Sequence, residues 1–383
     1  MGIAGAAVVG VAFGMARYAY GLTLPEVRQE LGTSELVLGL IASGTFAGYL
    51  AALLLAGPLA ARFGPRAPTT VGGGCGVAGS ALVAVAPSSG VLALGALVAG
   101  SAAGWVWAPY SDIVSVVAPA SRRARLLAAI TTGTSGGLVL LGLTAVATAG
   151  GSWRLTWASI ALAAGGAAML NLRWVPRLEP DSVITDLPSR EPLLRRALVR
   201  PLLFATIYFA SCTIYFTYAS DAARSGGLGA AAGPVLFVVL GLTGVIALRT
   251  GRLVHRYGTS RVAACSVAAV GVALALLGMD SGSLPMVLSS SVIFGVGYMT
   301  GSAVLSIWTA DAVADRPSAG FTAALVVGAI SSIAAPAACG ALIPASGLPT
   351  VLLCTAAAAV LTGVALPLRA QYRRPHVEES TIA

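Results

Sequence analysis

Charge is what this chain has least of. Only 10% of its 383 residues are Asp, Glu, Lys or Arg, and not one of them is lysine. A water-soluble domain carries about 25% charged residues, so a chain of this length could not hydrate its surface with so few. The missing lysine also removes the Walker phosphate loop, so transport driven by ATP bound to this chain is excluded. Two histidines, His255 and His376, cannot build a metal cluster or a His-based triad. Enzyme chemistry, metal and cofactor are therefore not expected. The five cysteines (Cys75, Cys212, Cys265, Cys339 and Cys354) stand singly in apolar runs and read as small hydrophobes, not a disulfide framework. Met1 to Ala16 carries no basic residue, so the first apolar run reads as a retained helix and not a cleaved signal.

What the chain has is apolar length. With 57% apolar residues and a mean hydropathy of +0.88 it reads as a polytopic, all-α membrane protein. A spanning helix needs ~20 apolar residues. Spans fall near 3–24, 36–56, 68–87, 90–113, 126–149 and 154–174, then near 201–221, 229–249, 261–279, 285–308, 319–343 and 349–368. The expected organisation is a six-helix bundle over 1–174, a linker over 175–200, a second bundle over 201–368 and a polar tail over 369–383. The linker holds Pro176, Pro180, Pro188 and Pro192, with room for a short surface helix around Glu191 to Leu198.

The arginines orient these spans. With both termini on one side, nineteen of the 23 fall in loops of that side. Only Arg28, Arg154 and Arg224 fall in loops of the other, and Arg17 lies within a span. Basic loops stay cytoplasmic, so both termini are expected inside, in a bacterial inner membrane. An odd number of helices would scramble the separation, so the arginines support an even count independently of hydropathy. The all-arginine usage goes with an excess of Ala and Gly, as GC-rich coding produces. The formal charge of +9 is accordingly read as topology and not as nucleic-acid affinity.

One short stretch occurs twice. Gly57-Pro58-Leu59-Ala60-Ala61-Arg62-Phe63-Gly64-Pro65-Arg66 returns 194 residues later as Gly251-Arg252-Leu253-Val254-His255-Arg256-Tyr257-Gly258, followed by Thr259, Ser260 and Arg261. Gly, Leu, Arg, aromatic and Gly keep their offsets, which implies two similar halves. Gly57 and Gly64 are expected to allow sharp turns. Arg62 and Arg66 are placed to reach helix C-terminal carbonyls or lipid phosphates.

This doubled G-x-L-x-x-R-[FY]-G element, between spans 2 and 3 and again between 8 and 9, resembles the signature loop of the major facilitator superfamily. Gly151-Ser152-Trp153-Arg154 at the start of span 6 and the six-plus-six layout resemble the same family. Ala16-Arg17-Tyr18-Ala19-Tyr20 looks like a subset of small bacterial members. The resemblance implies secondary transport by alternating access, with spans 1, 4, 7 and 10 lining the pathway. Three departures stand out. The family's Asp before the loop Arg is Ala61 in one copy and His255 in the other. The exporters' span-4 Arg is Ala96, four before Gly100. The span-5 glycines Gly133, Gly136 and Gly137 have no Pro beside them. The last two lower the case for a drug/proton antiporter.

The candidate residues follow from depth. Arg17 lies roughly 5 Å past the midplane of span 1, where a guanidinium costs at least ~2.5 kcal/mol unless it faces water or a partner. Phe13, Arg17 and Tyr20 share a helix face by their i, i+4, i+7 spacing, and that face is expected to line the central cavity. No Asp or Glu occupies the central third of any span, which favours Arg17 as an anchor for an anionic substrate. A structural arginine, paired with a carboxylate or with capping carbonyls, is the alternative. Asp112 falls ~15 Å below the midplane, too far from Arg17 to pair with it. Its expected role is to brace the inner gate against Arg62 or Arg122, with proton coupling as the sharper option. Asp221, Asp311 and Glu26 read as solvated or gate charges.

Trp105, after Gly104, corresponds to Tyr298, after Gly297, and the resemblance would set these two rings face to face across the pseudo-twofold axis. Trp107 points away from Trp105, so only one of the pair can line the cavity. Tyr208, Ser211 and Tyr215 share a face of span 7, and Tyr218 adds a further ring. Trp153 and Trp308 read as interfacial belt residues.

The reading is a secondary active transporter of a small organic anion, held by Phe13, Arg17, Tyr20, Trp105, Ser211, Tyr215 and Tyr298. The driving force is a co-transported proton or exchange. Gly57, Arg62, Gly64, Arg66, Gly251, Arg256 and Gly258 are assigned to gating. An exporter of amphipathic drug-like compounds is the alternative, and a transporter-like sensor without flux is the alternative of another class. The expected partners are a small-molecule substrate and membrane lipid, with no nucleic acid, and the chain is expected to act as a monomer.

Overall fold

The structure is a computed structural model and describes residues 1–149, 151–180, 196–313 and 317–371. Among these residues twelve long helices and no strand occur. They are α1 (Gly2–Leu31), α2 (Glu35–Phe63), α3 (Arg66–Ala84), α4 (Ser89–Val117), α5 (Ala120–Ala147) and α6 (Trp153–Trp174) in the first half. The second half has α7 (Arg196–Ser225), α8 (Ala232–Tyr257), α9 (Thr259–Met279), α10 (Leu284–Ala312), α11 (Pro317–Ser346) and α12 (Leu348–Gln371). Most of the expected linker, with Glu191, and most of the tail lie outside the described residues.

All-helical architecture is the outcome a membrane imposes, because backbone polar groups have no water to bond there and must be satisfied within each segment. Eleven of the twelve helices are long and apolar enough to cross a membrane. The twelfth, α3, is diluted by its glycines at positions 72, 73, 74, 76 and 79, which let it press closely on α4 and α6. The halves repeat one another: α3 packs between α4 and α6, and α9 packs between α10 and α12.

Three helices depart from regular α geometry. In α1 the stretch Gly10–Ala16 is π-helical, and Tyr18, with φ −113 and ψ −5, loosens the turn before the α-helix resumes at Ala19. α4 breaks at Val106, with φ −111, between Gly104 and Trp107. α8 tightens to a 3-10 helix over Gly244–Arg249. π segments inside α-helices free backbone geometry and cluster at functional sites. Here the π segment ends immediately before Arg17.

The bundles meet through α1 on α7, α2 on α11 and α5 on α8. At the α2–α11 contact, Gly340 faces Gly39 so closely that a Cβ on Gly340 would lie 3.2 Å from the Gly39 Cα. Only two residues without side chains permit that approach. It lies toward the arginine-poor end of the molecule, where the bundles are closed on each other. Among the described residues, the inter-bundle hydrogen bonds and ion pairs are Tyr18 with Tyr298 at mid-depth and Arg28 with Asp221 at the arginine-poor end. None joins the bundles at the arginine-rich end.

The repeated loop differs from its expected form in one respect. Gly64 and Gly258 do turn the chain, with φ 81 and 85. Gly57 and Gly251 do not, because both lie inside helices, α2 and α8. α2 runs on to Phe63, so the turn belongs to the second glycine of each copy alone. Arg66 donates a hydrogen bond to the Leu172 carbonyl at the C-terminal end of α6, as a loop arginine beside a helix end can.

Candidate functional site

Arg17 lies on the bundle interface at mid-depth and is only 6% exposed. Its guanidinium carbon is 4.1 Å from the centre of the Tyr49 ring, 5.0 Å from Phe46, 5.4 Å from Phe13 and 5.6 Å from Tyr18. The Tyr49 hydroxyl is a further polar neighbour. The Nε atom is buried and has no hydrogen-bond partner. Among the described residues no carboxylate stands within ion-pair distance of it. The cage therefore holds a positive charge on π faces and one tyrosine hydroxyl. Such contacts are worth ~0.5–2 kcal/mol each and leave the charge without a counter-charge. The free space beside it, bounded by Tyr20, Thr45, Phe46, Phe216 and Thr217, is about 10 Å³. That is at most the room for one water, so the site is closed around the arginine.

Tyr18 connects this cage to the second bundle. Its ring stacks on Phe216 at 3.7 Å between centroids, and its hydroxyl is 2.7 Å from the Tyr298 hydroxyl. Phe216 in turn stands edge-on to Phe294 and Tyr298 at 5.1 and 5.0 Å. A continuous run of rings thus leads from Arg17 on α1 across to α7 and α10.

The structure brings together some of the expected residues and separates others. Arg17, Phe13 and Tyr298 belong to the connected set. Tyr20 borders the small space beside Arg17 but is not one of the four rings that face it. It turns to α2, where its hydroxyl donates to the Leu38 carbonyl at 3.0 Å, because the π segment and the break at Tyr18 shift the register assumed from i, i+7 spacing. Trp105 does not face Tyr298. It packs on α3 against Gly72, and its buried indole nitrogen has no hydrogen-bond partner. The break at Val106 reverses the choice, so that Trp107 reaches the Phe13 ring at 6.0 Å. Tyr208, Tyr215 and Tyr218 hold the second bundle together. Tyr208 donates to the Tyr298 carbonyl, Tyr215 meets the Ser290 hydroxyl at 3.0 Å, and Tyr218 donates to the Pro336 carbonyl. Ser211 is buried on the same helix.

Asp112 is half-buried on α4 and makes no ion pair with Arg62 or Arg122. Among the described residues the bundles show no hydrogen-bonded or ion pair at the arginine-rich end in this state, and Asp112 has no ion-pair partner. Asp221 is not solvated either. It is buried at the arginine-poor end, where both its oxygens accept from Arg28 at 2.7 and 2.8 Å. Arg28 also pairs with Glu35 at 2.9 Å. Nearby, Glu30 accepts from the Trp153 indole and from Arg154, which ties α6 to α1; Trp153 is thereby an anchor within the bundle and buried.

Sequence reasoning missed Tyr18, Phe46, Tyr49 and Phe216 as members of the site. A signal existed for two of them. A cation buried in a membrane with no carboxylate in reach needs π faces, and Phe46 and Tyr49 are the aromatics in the apolar middle of span 2.

Comparison with known proteins agrees with this architecture. The family model of the Major Facilitator Superfamily matches residues 6–336. The chain belongs to the major facilitator superfamily, a family of membrane transporters. Its fold is similar to that of a D-xylose–proton symporter, with a TM-score of 0.76 at 15% identity over 95% of this chain and 97% of that one. It is also similar to the nucleoside transporter NupG, with a TM-score of 0.75 at 13% identity over 97% and 99% of the two chains. A POT family transporter crystallised with 5-aminolevulinic acid gives 0.73 at 12% identity over 96% of each chain. At these identities the likeness is one of fold.

Proposed function

We propose that this protein is a secondary carrier of small organic anions and that Arg17 is the residue on which the anion's carboxylate docks. The neighbouring folds handle a sugar, nucleosides and a carboxylate-bearing amino compound, so the fold does not select the cargo. The observation that carries the reading is Arg17: a mid-depth guanidinium, 6% exposed, with an unbonded Nε and no carboxylate of the chain in reach. Breaking or omitting the partner of a buried charge costs several kcal/mol, and intramembrane cations mark substrate pathways. The π cage offsets part of that cost while the carrier is empty. A substrate carboxylate then offers the bidentate partner that the rings only approximate.

In this reading the arginine-rich loops face the cytoplasm of a bacterial inner membrane. The molecule is then closed to the outside by α1–α7, α2–α11 and the Arg28–Asp221 pair, and rocking of the bundles opens the arginine cage in turn to each side. Asp112 is the candidate for a coupled proton, being a half-buried carboxylate on α4 without a cation.

The test is a thermal-shift screen of purified protein in detergent, wild type beside Arg17→Gln, with small carboxylates and lipophilic cations. Carboxylates are expected to raise the midpoint of wild type and not of the variant. Cations that stabilise both proteins, with carboxylates stabilising neither, would hand the site to the exporter reading, which the run of rings through Phe216, Phe294 and Tyr298 would then serve.

A further inference from the structure

Away from the bundle interface, the second half carries an apolar groove of about 400 Å³ between α8, α9 and α10 at the arginine-rich end. Leu253 and Tyr257 wall it from α8, Cys265 and Ala269 from α9, and Val296 and Gly297 from α10. Small side chains create the gap: Gly297 sits on the Ser266 carbonyl, where a Cβ would come within 2.9 Å. Arg261 stands at the mouth, in the first turn of α9. Eight residues further, Ala269 lies ~12 Å deeper along the helix, so the groove runs from the surface into the apolar zone.

The corresponding helices of the first half are lined differently. At the 194-residue repeat, Ser266 corresponds to Gly72 and Arg261 to Ala67. A Cβ on Gly72 would come within 2.8 Å of the Val106 side chain and 2.9 Å of the Trp105 Cβ, so the equivalent space is occupied. The lining of the groove is thus particular to this half. Its cation differs as well. Arg66 of the first copy bonds the end of α6, whereas Arg261 is exposed and makes no hydrogen bond or ion pair among the described residues. Arg256, over the Tyr257 ring at 5.3 Å, and Arg252 add positive charge on the same turn of chain.

We propose that the groove holds an acyl chain of an anionic phospholipid, with its phosphate on Arg261. The apolar walls suit a hydrocarbon chain. A guanidinium fork suits a phosphate, and Arg261, the charged residue that lines the groove, selects a headgroup of net negative charge. The inference is independent of the cargo, because neither Arg17 nor the bundle interface enters it.

Cys265 reports occupancy, since it lines the groove and is exposed; Cys354 is the other exposed cysteine and is replaced by serine for the test. Full-length protein in detergent is mixed with phosphatidylglycerol or with phosphatidylcholine of the same chains, and maleimide labelling of Cys265 is followed by peptide mass spectrometry. Phosphatidylglycerol is expected to slow labelling about fivefold more than phosphatidylcholine, the effect of one arginine at an anionic surface. Arg261→Gln is expected to abolish that difference while melting as wild type does. Equal protection by the two lipids, or none by either, overturns the proposal in wild type alone. A preference that survives in Arg261→Gln overturns the assignment of the phosphate to Arg261.

Discussion

Two arginines on α1, Arg17 and Arg28, stand eleven residues apart, ~16 Å along one helix. Both border the second bundle, yet they are treated in opposite ways. Arg28 has two carboxylates, Asp221 across the interface and Glu35 on α2, and its charge is balanced by the chain itself. Arg17 has four rings and no carboxylate. A self-balanced charge spanning two bundles acts as a clasp: it stabilises whichever state brings its partners together. An unbalanced charge at the centre of the interface is poised to take its partner from elsewhere. In the proposed reading the same side chain serves as a clasp at one depth and as the substrate anchor at another, and the difference lies in what surrounds it.

The largest expected effect comes from removing the unbalanced charge. Arg17→Gln should abolish stabilisation by carboxylates, which in wild type reaches about 2.7 kcal/mol at 100 times the dissociation constant. Transport of the same anions should fall about 10- to 100-fold, the loss that goes with a charge-assisted hydrogen bond of about 1.5–3 kcal/mol. The complementary change gives Arg17 what Arg28 already has. Tyr49→Glu places a carboxylate at the nearest ring position and should compete with the substrate's own, so that the response to carboxylates is lost while the guanidinium remains. A Tyr49→Glu protein that still responds as wild type does would show that the anion binds elsewhere.

The clasp comes next in size. Asp221 is buried, whereas the Glu35 side chain is 24% exposed. Asp221→Asn should therefore destabilise the closed state by about 1–3 kcal/mol, the range for a charged hydrogen-bonded group that loses its partner in a buried place. Glu35→Gln should cost under about 1 kcal/mol, as exposed ion pairs do. Both can be read as increased labelling of cysteines introduced at the arginine-poor end. A double-mutant cycle over Arg28→Gln and Asp221→Asn should give a coupling of about 1–3 kcal/mol; additivity would reduce the pair to a bystander.

Tyr18→Phe is a finer probe. It deletes the hydroxyl that meets Tyr298 and keeps the ring stacked on Phe216, so a loss of about 1 kcal/mol in favour of the closed state is expected, by the same labelling.

The clasp and the anchor were not equally legible in the amino-acid order. Arg17 announced itself, because a charge inside an apolar run is rare and its depth follows from counting residues. The helices, the twofold repeat and the arginine asymmetry were legible for the same reason: each is written locally or at a fixed period. The partners were not. Asp221 lies 193 residues from Arg28, and only the packing of α7 on α1 joins them. Tyr20 bonds to α2 and Trp105 packs on α3, away from the rings that regular spacing implies, because the helices are not regular at Gly10–Ala16 and Val106. A π segment adds a residue to the turn, which rotates the residues that follow it relative to regular helical spacing. Glycines such as Gly10 and Gly14 permit that segment through the close approach of α5, a tertiary cause with no short-range signature.

The smallest expected effect on stability is at Asp112, and it sharpens the comparison from a third side. This carboxylate has no cation, as Arg17 has no anion, but it is half-buried and not enclosed. Nothing in the fold is left unpaired when it is neutralised, so Asp112→Asn should change the melting midpoint by no more than about 0.5 kcal/mol equivalent. Its consequence should appear in energetics of another kind. A site that only exchanges one anion for another needs no proton, so counterflow in liposomes should persist in Asp112→Asn at the wild-type rate. Uptake driven by an imposed pH gradient should be lost, because the group that would carry the proton through the cycle is gone. Loss of both activities together would instead place Asp112 in the gate, and retention of both would leave the carrier an exchanger in which this carboxylate has no part.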